Sequence, residues 1–141
     1  MRLNGDFSIE DASLSEVKSF LRVAGSSLSA FRYFEKRPYE VILNHLKTLV
    51  VMNNNQPVGY GHLDPEDGIT WLGICVAERF RGKGIGKLIM NELIKSAKRM
   101  EVEEIQLSVD SDNNEAIQLY VRFGFRLSSV EENIRFMKLS L

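Results

Sequence analysis

Cysteine occurs once in this chain, at Cys75, so no disulfide can form within it. Neither sign of charge dominates: 18 Lys and Arg stand against 19 Asp and Glu, a net charge of -1. That balance lacks the basic excess of proteins that bind nucleic acid or an anionic membrane surface. No apolar run approaches the roughly 20 residues of a membrane span. The first residues, Met1-Arg2-Leu3-Asn4-Gly5-Asp6, carry no apolar stretch of the signal-peptide kind. A cytoplasmic protein is therefore expected, with neither nucleic acid nor membrane as partner. Repeats, low-complexity tracts and interdomain linkers are also missing, so residues 1–141 read as one domain. What is present is a globular composition, 44% hydrophobic and 26% charged. An anionic ligand of so neutral a chain must be held by a local feature.

The hydrophobic pattern divides the chain. Phe7 to Glu10 reads as a first strand. Ser13, with Glu16 three residues on, forms a capping-box signature ahead of Leu14, Val17, Phe20 and Leu21 at helical spacing. Helical character is expected again over residues 26–37 and 39–47, with Pro38 between them. Leu49 to Met52 and Val58 to Leu63 flank the turn signal Asn53-Asn54-Asn55-Gln56-Pro57, which predicts a hairpin. Asp64 to Gly68 predicts the next turn, and Ile69 to Val76 a third strand too apolar to face water. Cys75 in that run reads as a buried, inert thiol. Helical spacing returns with Ile85, Leu88, Ile89, Leu93, Ala97 and Met100. Ile105, Leu107 and Val109 alternate as a strand, and Ala116, Ile117, Tyr120 and Val121 are helical. Phe125 to Ser129 and Ile134 to Leu139 predict a final pair of strands. A meander feeding a strand–helix–strand unit specifies an α/β (α+β) domain with a mixed sheet.

The most informative segment is Arg81-Gly82-Lys83-Gly84-Ile85-Gly86-Lys87, between a buried strand and an amphipathic helix. A helix N-terminus leaves N–H groups unpaired and carries partial positive charge. Glycines there let the backbone approach an anion, and the basic side chains add charge, so a pyrophosphate fits. Two other phosphate loops fail on spacing. The Walker A loop needs Gly five residues before its Gly-Lys and Ser or Thr after, where this chain has Arg81 and Leu88. The dinucleotide fingerprint needs a third glycine where Lys87 stands.

Arg81, Gly84 and Gly86 resemble the acetyl-CoA signature of the GNAT acetyltransferases, and Ile74-Cys75-Val76 resembles the strand that precedes it there. Asn113, Ala116, Leu119, Tyr120, Gly124 and Phe125 resemble the family's second motif, in the same order and with the usual gaps. The resemblance covers most of residues 49–127. It implies a GNAT-like fold with a mostly antiparallel sheet flanked by helices, and transfer of an acetyl group from acetyl-CoA to a primary amine, with no metal. It implies that backbone N–H groups of Arg81, Gly82, Lys83, Gly84, Ile85 and Gly86 hold the pyrophosphate. Ile74, Cys75 and Val76 would lie along the pantetheine arm, with Ile74 and Val76 presenting backbone groups to it. Asn113 would contact the CoA arm, and Tyr120 would protonate the leaving thiolate.

The resemblance leaves the base open. Two positions where such enzymes carry glutamate fall at Thr70 and Ser108, neither of which can accept the proton. His62 is one candidate because of its ordinary pKa near 6.5. Glu66 and Asp67 through water, or attack by an already neutral amine, are others. The aromatic and basic stretch from Ser26 to His45, with Phe31, Arg32, Tyr33, Phe34, Arg37 and Tyr39, suggests a small acceptor such as an amino-sugar nucleotide. A peptide amine, a noncatalytic acyl-CoA-binding module and a nucleotide-binding domain unrelated to CoA are the competing readings. A monomer or homodimer is expected.

Overall fold

A computed structural model describes residues 7–141. Among the described residues, seven strands form one sheet in the order β1-β2-β3-β4-β5-β7-β6. The strands are β1 (Phe7–Asp11), β2 (Lys47–Asn53), β3 (Gln56–Glu66), β4 (Ile69–Val76), β5 (Glu104–Asp110), β6 (Arg126–Glu131) and β7 (Ile134–Ser140). Three α-helices join them: α1 (Leu14–Val23), α2 (Ile85–Arg99) and α3 (Asn114–Arg122). All strand pairs are antiparallel except β4–β5, which the crossover helix α2 makes parallel. The expected mixed, mostly antiparallel sheet flanked by helices is the one found. No helix among the described residues is long and apolar enough to cross a membrane.

The capping box of α1 forms as expected: Ser13 N–H donates to Glu16 Oε1 at 2.9 Å, and Glu16 N–H donates to Ser13 Oγ at 3.3 Å. The segment after α1 departs from expectation. It holds three short three-ten turns, Gly25–Ser29, Tyr33–Glu35 and Tyr39–Asn44, and no α-helix. Gly25, at φ 65°, turns the chain away from α1. Ser29 Oγ then bonds Ser26 O, and Ser27 Oγ bonds Val76 O, local bonds that compete with a helical ladder. The second hairpin turn is also shorter than expected: β3 runs on through Asp64-Pro65-Glu66, and Asp67-Gly68 makes the turn.

Close packing on one side of the sheet and a gap within it shape the molecule's concave surface. Gly61 lets α2 press onto β3, since a Cβ there would stand 2.5 Å from Ile89 Cγ2 and 3.1 Å from Leu93 Cδ1. In addition, β4 and β5 are in register only at Thr70–Ile105 and Trp71–Gln106. Beyond these pairs the strands part. The outer half of β4 is consequently not fully covered: only Leu72 and Cys75 of the strand are buried, and the others, Ile74 and Val76 included, are half-exposed.

Candidate active site

The parting of β4 from β5 opens a cleft of ≈ 810 Å³. Leu72 to Val76 line one wall, Ser108 to Asp110 and residues of α3 the other, and the turn entering α2 one end. Ala77 N–H donates to Val58 O at 2.8 Å, toward β3. Strand alternation then directs the backbone groups of Ile74 and Val76 to the opposite edge, into the cleft. The Val76 carbonyl accepts the Ser27 hydroxyl at 2.6 Å. The other groups on this edge lie past the last β4–β5 pair and form an open strand edge.

At the turn, Gly82 and Gly84 have φ of 76° and 83°, a conformation that disfavours any residue with a Cβ. Gly84 is the N-cap of α2 with no side-chain cap hydrogen bond among the described residues, which leaves the first N–H groups of the helix available to the cleft. Gly86 serves a different purpose: a Cβ there would stand 3.2 Å from Leu119 Cδ2, so the glycine lets α2 and α3 close on one another. The basic residues divide. Arg81 donates from Nε and Nη2 to Ser27 Oγ at 3.1 and 2.8 Å, which ties the turn to Val76 through one hydroxyl. The Lys83 ammonium lies 5.3 Å from the centre of the Phe80 ring, and Lys83 is not part of the cleft wall. Lys87 lines the cleft.

Tyr120, on α3, lines the same cleft and is 7% exposed. Burial, and then Cys75, push its hydroxyl pKa up, so it stays protonated and can donate. The Cys75 thiol is pushed up to about 12 by burial, as an inert thiol should be. Asn113 caps α3, its Oδ1 accepting Ala116 N–H at 3.3 Å, and its side-chain amide remains at the cleft wall.

A second pocket of ≈ 470 Å³ adjoins the first, sharing Ala30, Phe31, Leu72, Gly73 and Ser108 with it. His62 and Asp64 are on its wall, 2% and 4% exposed. Both project to the same sheet face, since strand side chains alternate. Gly73, opposite His62 in register, makes room for the ring: a Cβ there would stand 2.5 Å from His62 Nε2.

Hydrogen bonds fix the protons here. Tyr33 Oη donates to Asp64 Oδ2 at 2.7 Å. A hydroxyl has one proton, so Tyr33 Oη accepts from His45 Nε2–H, also at 2.7 Å. His45 Nδ1 then accepts the Thr48 hydroxyl at 2.8 Å. His45 remains neutral, its pKa lowered first by burial. Tyr60 is fully buried, and among the described residues its hydroxyl has one hydrogen-bond partner, His62 Nδ1, at 2.7 Å. A buried O–H donates to the acceptor it has. His62 is therefore the Nε2–H tautomer. Burial, then His45 and Arg37, hold its pKa well below the usual value.

The cofactor-side expectations, apart from Lys83, thus fall together on one cleft, and His62 falls in the adjoining pocket. Asp64 is a functional candidate that the sequence pattern hides, because its neighbours have the composition of a turn. Only the continuation of β3 places it two residues beyond His62 on the same face. Thr70 pairs with Pro65, whereas Ser108 lines both pockets.

The model of the acetyltransferase (GNAT) family matches residues 14–125. The chain is 39% identical over 67 residues to a spermine/spermidine N(1)-acetyltransferase of Bacillus subtilis, covering 46% of this chain and 44% of that protein. It is 30% identical over 88 residues to an L-amino acid N-acetyltransferase of Escherichia coli, covering 58% and 54%. The chain thus spans about half the length of these curated relatives. An N-acetyltransferase from Thermoplasma acidophilum, solved in complex with coenzyme A, superposes with a TM-score of 0.81 at 18% identity, covering 96% of this chain and 99% of that one.

Proposed function

The chain belongs to the acetyltransferase (GNAT) family, and on that premise we propose that it moves an acetyl group from acetyl-CoA directly to a primary amine of a small acceptor. The observation that carries this reading is the continuity of the main cleft. It leads from the glycine turn of α2, along the open edge at Ile74 and Val76, to the Tyr120 hydroxyl. The turn supplies N–H groups and a helix dipole for the diphosphate. The β4 edge supplies strand-like hydrogen bonds for the amide-bearing arm. Tyr120 supplies the proton for the leaving thiolate.

The amine enters from the second pocket and attacks where the two pockets meet, at Gly73. His62 does not act as base in this reading, because its Nδ1 lone pair is occupied by Tyr60 and Nε2 carries hydrogen. The surroundings supply the alternative. Phe31, Gly73 and neutral His62 disfavour an ammonium, so the nitrogen loses its first proton to solvent before attack. It gives the second to water as the C–N bond forms and the C–S bond breaks, while sulfur takes a proton from Tyr120, whose hydroxyl is then restored from solvent.

The pocket's charge supports a neutral or cationic acceptor over the amino-sugar nucleotide suggested by the sequence. Arg32 is held by Asp110 through two bonds of 2.8 and 3.1 Å. Arg37 lies 4.3 Å from the Tyr33 ring centre and 3.8 Å from Glu66. Arg32 is thus engaged by a carboxylate and Arg37 already faces one, which weighs against a phosphate-bearing acceptor. A screen of primary amines for acetyl-CoA-dependent thiol release tests the proposal. Release that follows amine concentration is expected, whereas binding of acetyl-CoA with no release from any amine would mark a noncatalytic module.

A further inference from the structure

His62 is buried, yet half of its hydrogen-bonding capacity is unused. Its Nδ1 accepts from Tyr60, and among the described residues no acceptor meets its Nε2–H. A buried N–H without a partner is costly, and native structures rarely leave one. The two edges of the ring face different places. The Nδ1 edge faces Tyr60, which lines neither pocket. The opposite edge lies over Gly73, with Nε2 and Cε1 at 2.5 and 2.6 Å from where a Cβ would stand. Gly73 belongs to both pockets, so the unpartnered N–H opens where they meet. Any side chain at position 73 would cover it.

The ring is also held in place. The centres of the Tyr33 and His45 rings lie 4.3 and 4.6 Å from its own, and those of Tyr60 and Phe31 5.4 and 6.3 Å. Burial, and then His45 and Arg37, keep the imidazole uncharged, so it offers a hydrogen bond without giving up a proton. Three reacting groups come to Gly73 in the reaction proposed above. The sulfur is served by Tyr120. The amine must keep its lone pair for the acetyl carbon, so it cannot accept this hydrogen and still attack. The thioester carbonyl oxygen remains. We propose that His62 Nε2–H donates to that oxygen and stabilises the negative charge that builds on it as the C–N bond forms. The charge returns to the carbonyl double bond as the C–S bond breaks, and the imidazole keeps its proton throughout. A donor fixed beforehand in a dry site is worth most where charge develops, because nothing has to reorient.

This inference rests on the acetyltransferase reading, and the test separates the two. The chain has two histidines, so nitrogen-15 NMR of histidine-labelled protein resolves both rings, and the signal missing from His62→Gln identifies His62. At neutral pH its Nε2 should carry the proton and its Nδ1 none. The Nε2–H resonance should move downfield on saturation with acetyl-CoA and stay in place with CoA, which lacks the carbonyl. A proton on Nδ1, or the same response to both ligands when calorimetry shows both bound, would overturn the inference and leave the acetyltransferase reading standing. Kinetics supply the second arm, with acetyl-CoA and n-butylamine or whichever primary amine of the screen reacts faster. His62→Phe keeps a ring and loses the donor, and should lower kcat by about 10²–10³-fold, as removal of one oxyanion donor does. Its acetyl-CoA affinity and amine KM should change little. His62→Gln, whose amide N–H reaches to about the place of Nε2–H, should recover most of that loss. Wild-type kcat in a folded His62→Phe, or a His62→Gln as slow as His62→Phe, would also overturn the inference; should His62→Phe not fold, the NMR comparison decides. No binding of acetyl-CoA or CoA by the wild type would instead remove the underlying reading.

Discussion

Single side chains carry the chemistry, and their surroundings decide which roles they can take. The Tyr120 hydroxyl is buried and neutral, with its pKa moved up by desolvation, so it is fitted to donate. Tyr120→Phe is expected to lower kcat by about 10²–10⁴-fold with little change in acetyl-CoA affinity, as loss of a general acid does. Steady-state kinetics with parallel calorimetry checks this; unchanged turnover would remove Tyr120 from the mechanism. His62 leads to a different prediction. Its folded pKa lies below the ordinary 6.5, mainly through burial. Below pH 6.5 the unfolded chain therefore takes up a proton that the folded one refuses, and stability falls with pH from there. Urea midpoints between pH 7 and 5 should drop more steeply for the wild type than for His62→Gln. That variant should leave the acidic limb of the kcat/KM profile in place, as the proposed mechanism, in which His62 is not the base, requires.

At the scale of elements, the parting of β4 and β5 creates the cleft, and glycines set how closely its neighbours approach. Gly73→Ala puts a methyl group into the His62 ring. Overpacking of this kind costs about 1–3 kcal/mol, measurable by urea unfolding. The cost should vanish in a His62→Ala background, as expected for two residues in direct contact. Such contacts are not legible in the sequence. The helix periods of α2 and α3, the capping box of α1 and the glycine turn are, because each is a local pattern of a few residues. Residues 26–37 and 39–47 read as helical from their sequence, whereas the structure holds only short three-ten turns between Gly25 and Asn44. The serine bonds to Val76 and Ser26 that replace the helix are partly non-local. Asp64 is concealed for a related reason: Asp-Pro-Glu-Asp-Gly has a turn composition, yet pairing with β4 carries β3 through Glu66.

For the whole molecule, the cleft proposed for the donor and the pocket proposed for the acceptor share Leu72 and Gly73 of strand β4. The donor half is legible in the sequence because backbone amides and glycines follow a short motif. The acceptor half is not, since it is assembled from the three-ten turns, β3, β4 and β5, which meet only in the fold. The central claim is that the glycine turn of α2 binds the diphosphate of coenzyme A, and calorimetric titration of the folded protein with acetyl-CoA tests it most directly. Saturable one-site binding by the wild type is predicted, abolished in a folded Gly84→Glu variant that sets bulk and negative charge at the helix N-terminus. Absence of binding by the wild type, or undiminished binding by Gly84→Glu, would contradict the account.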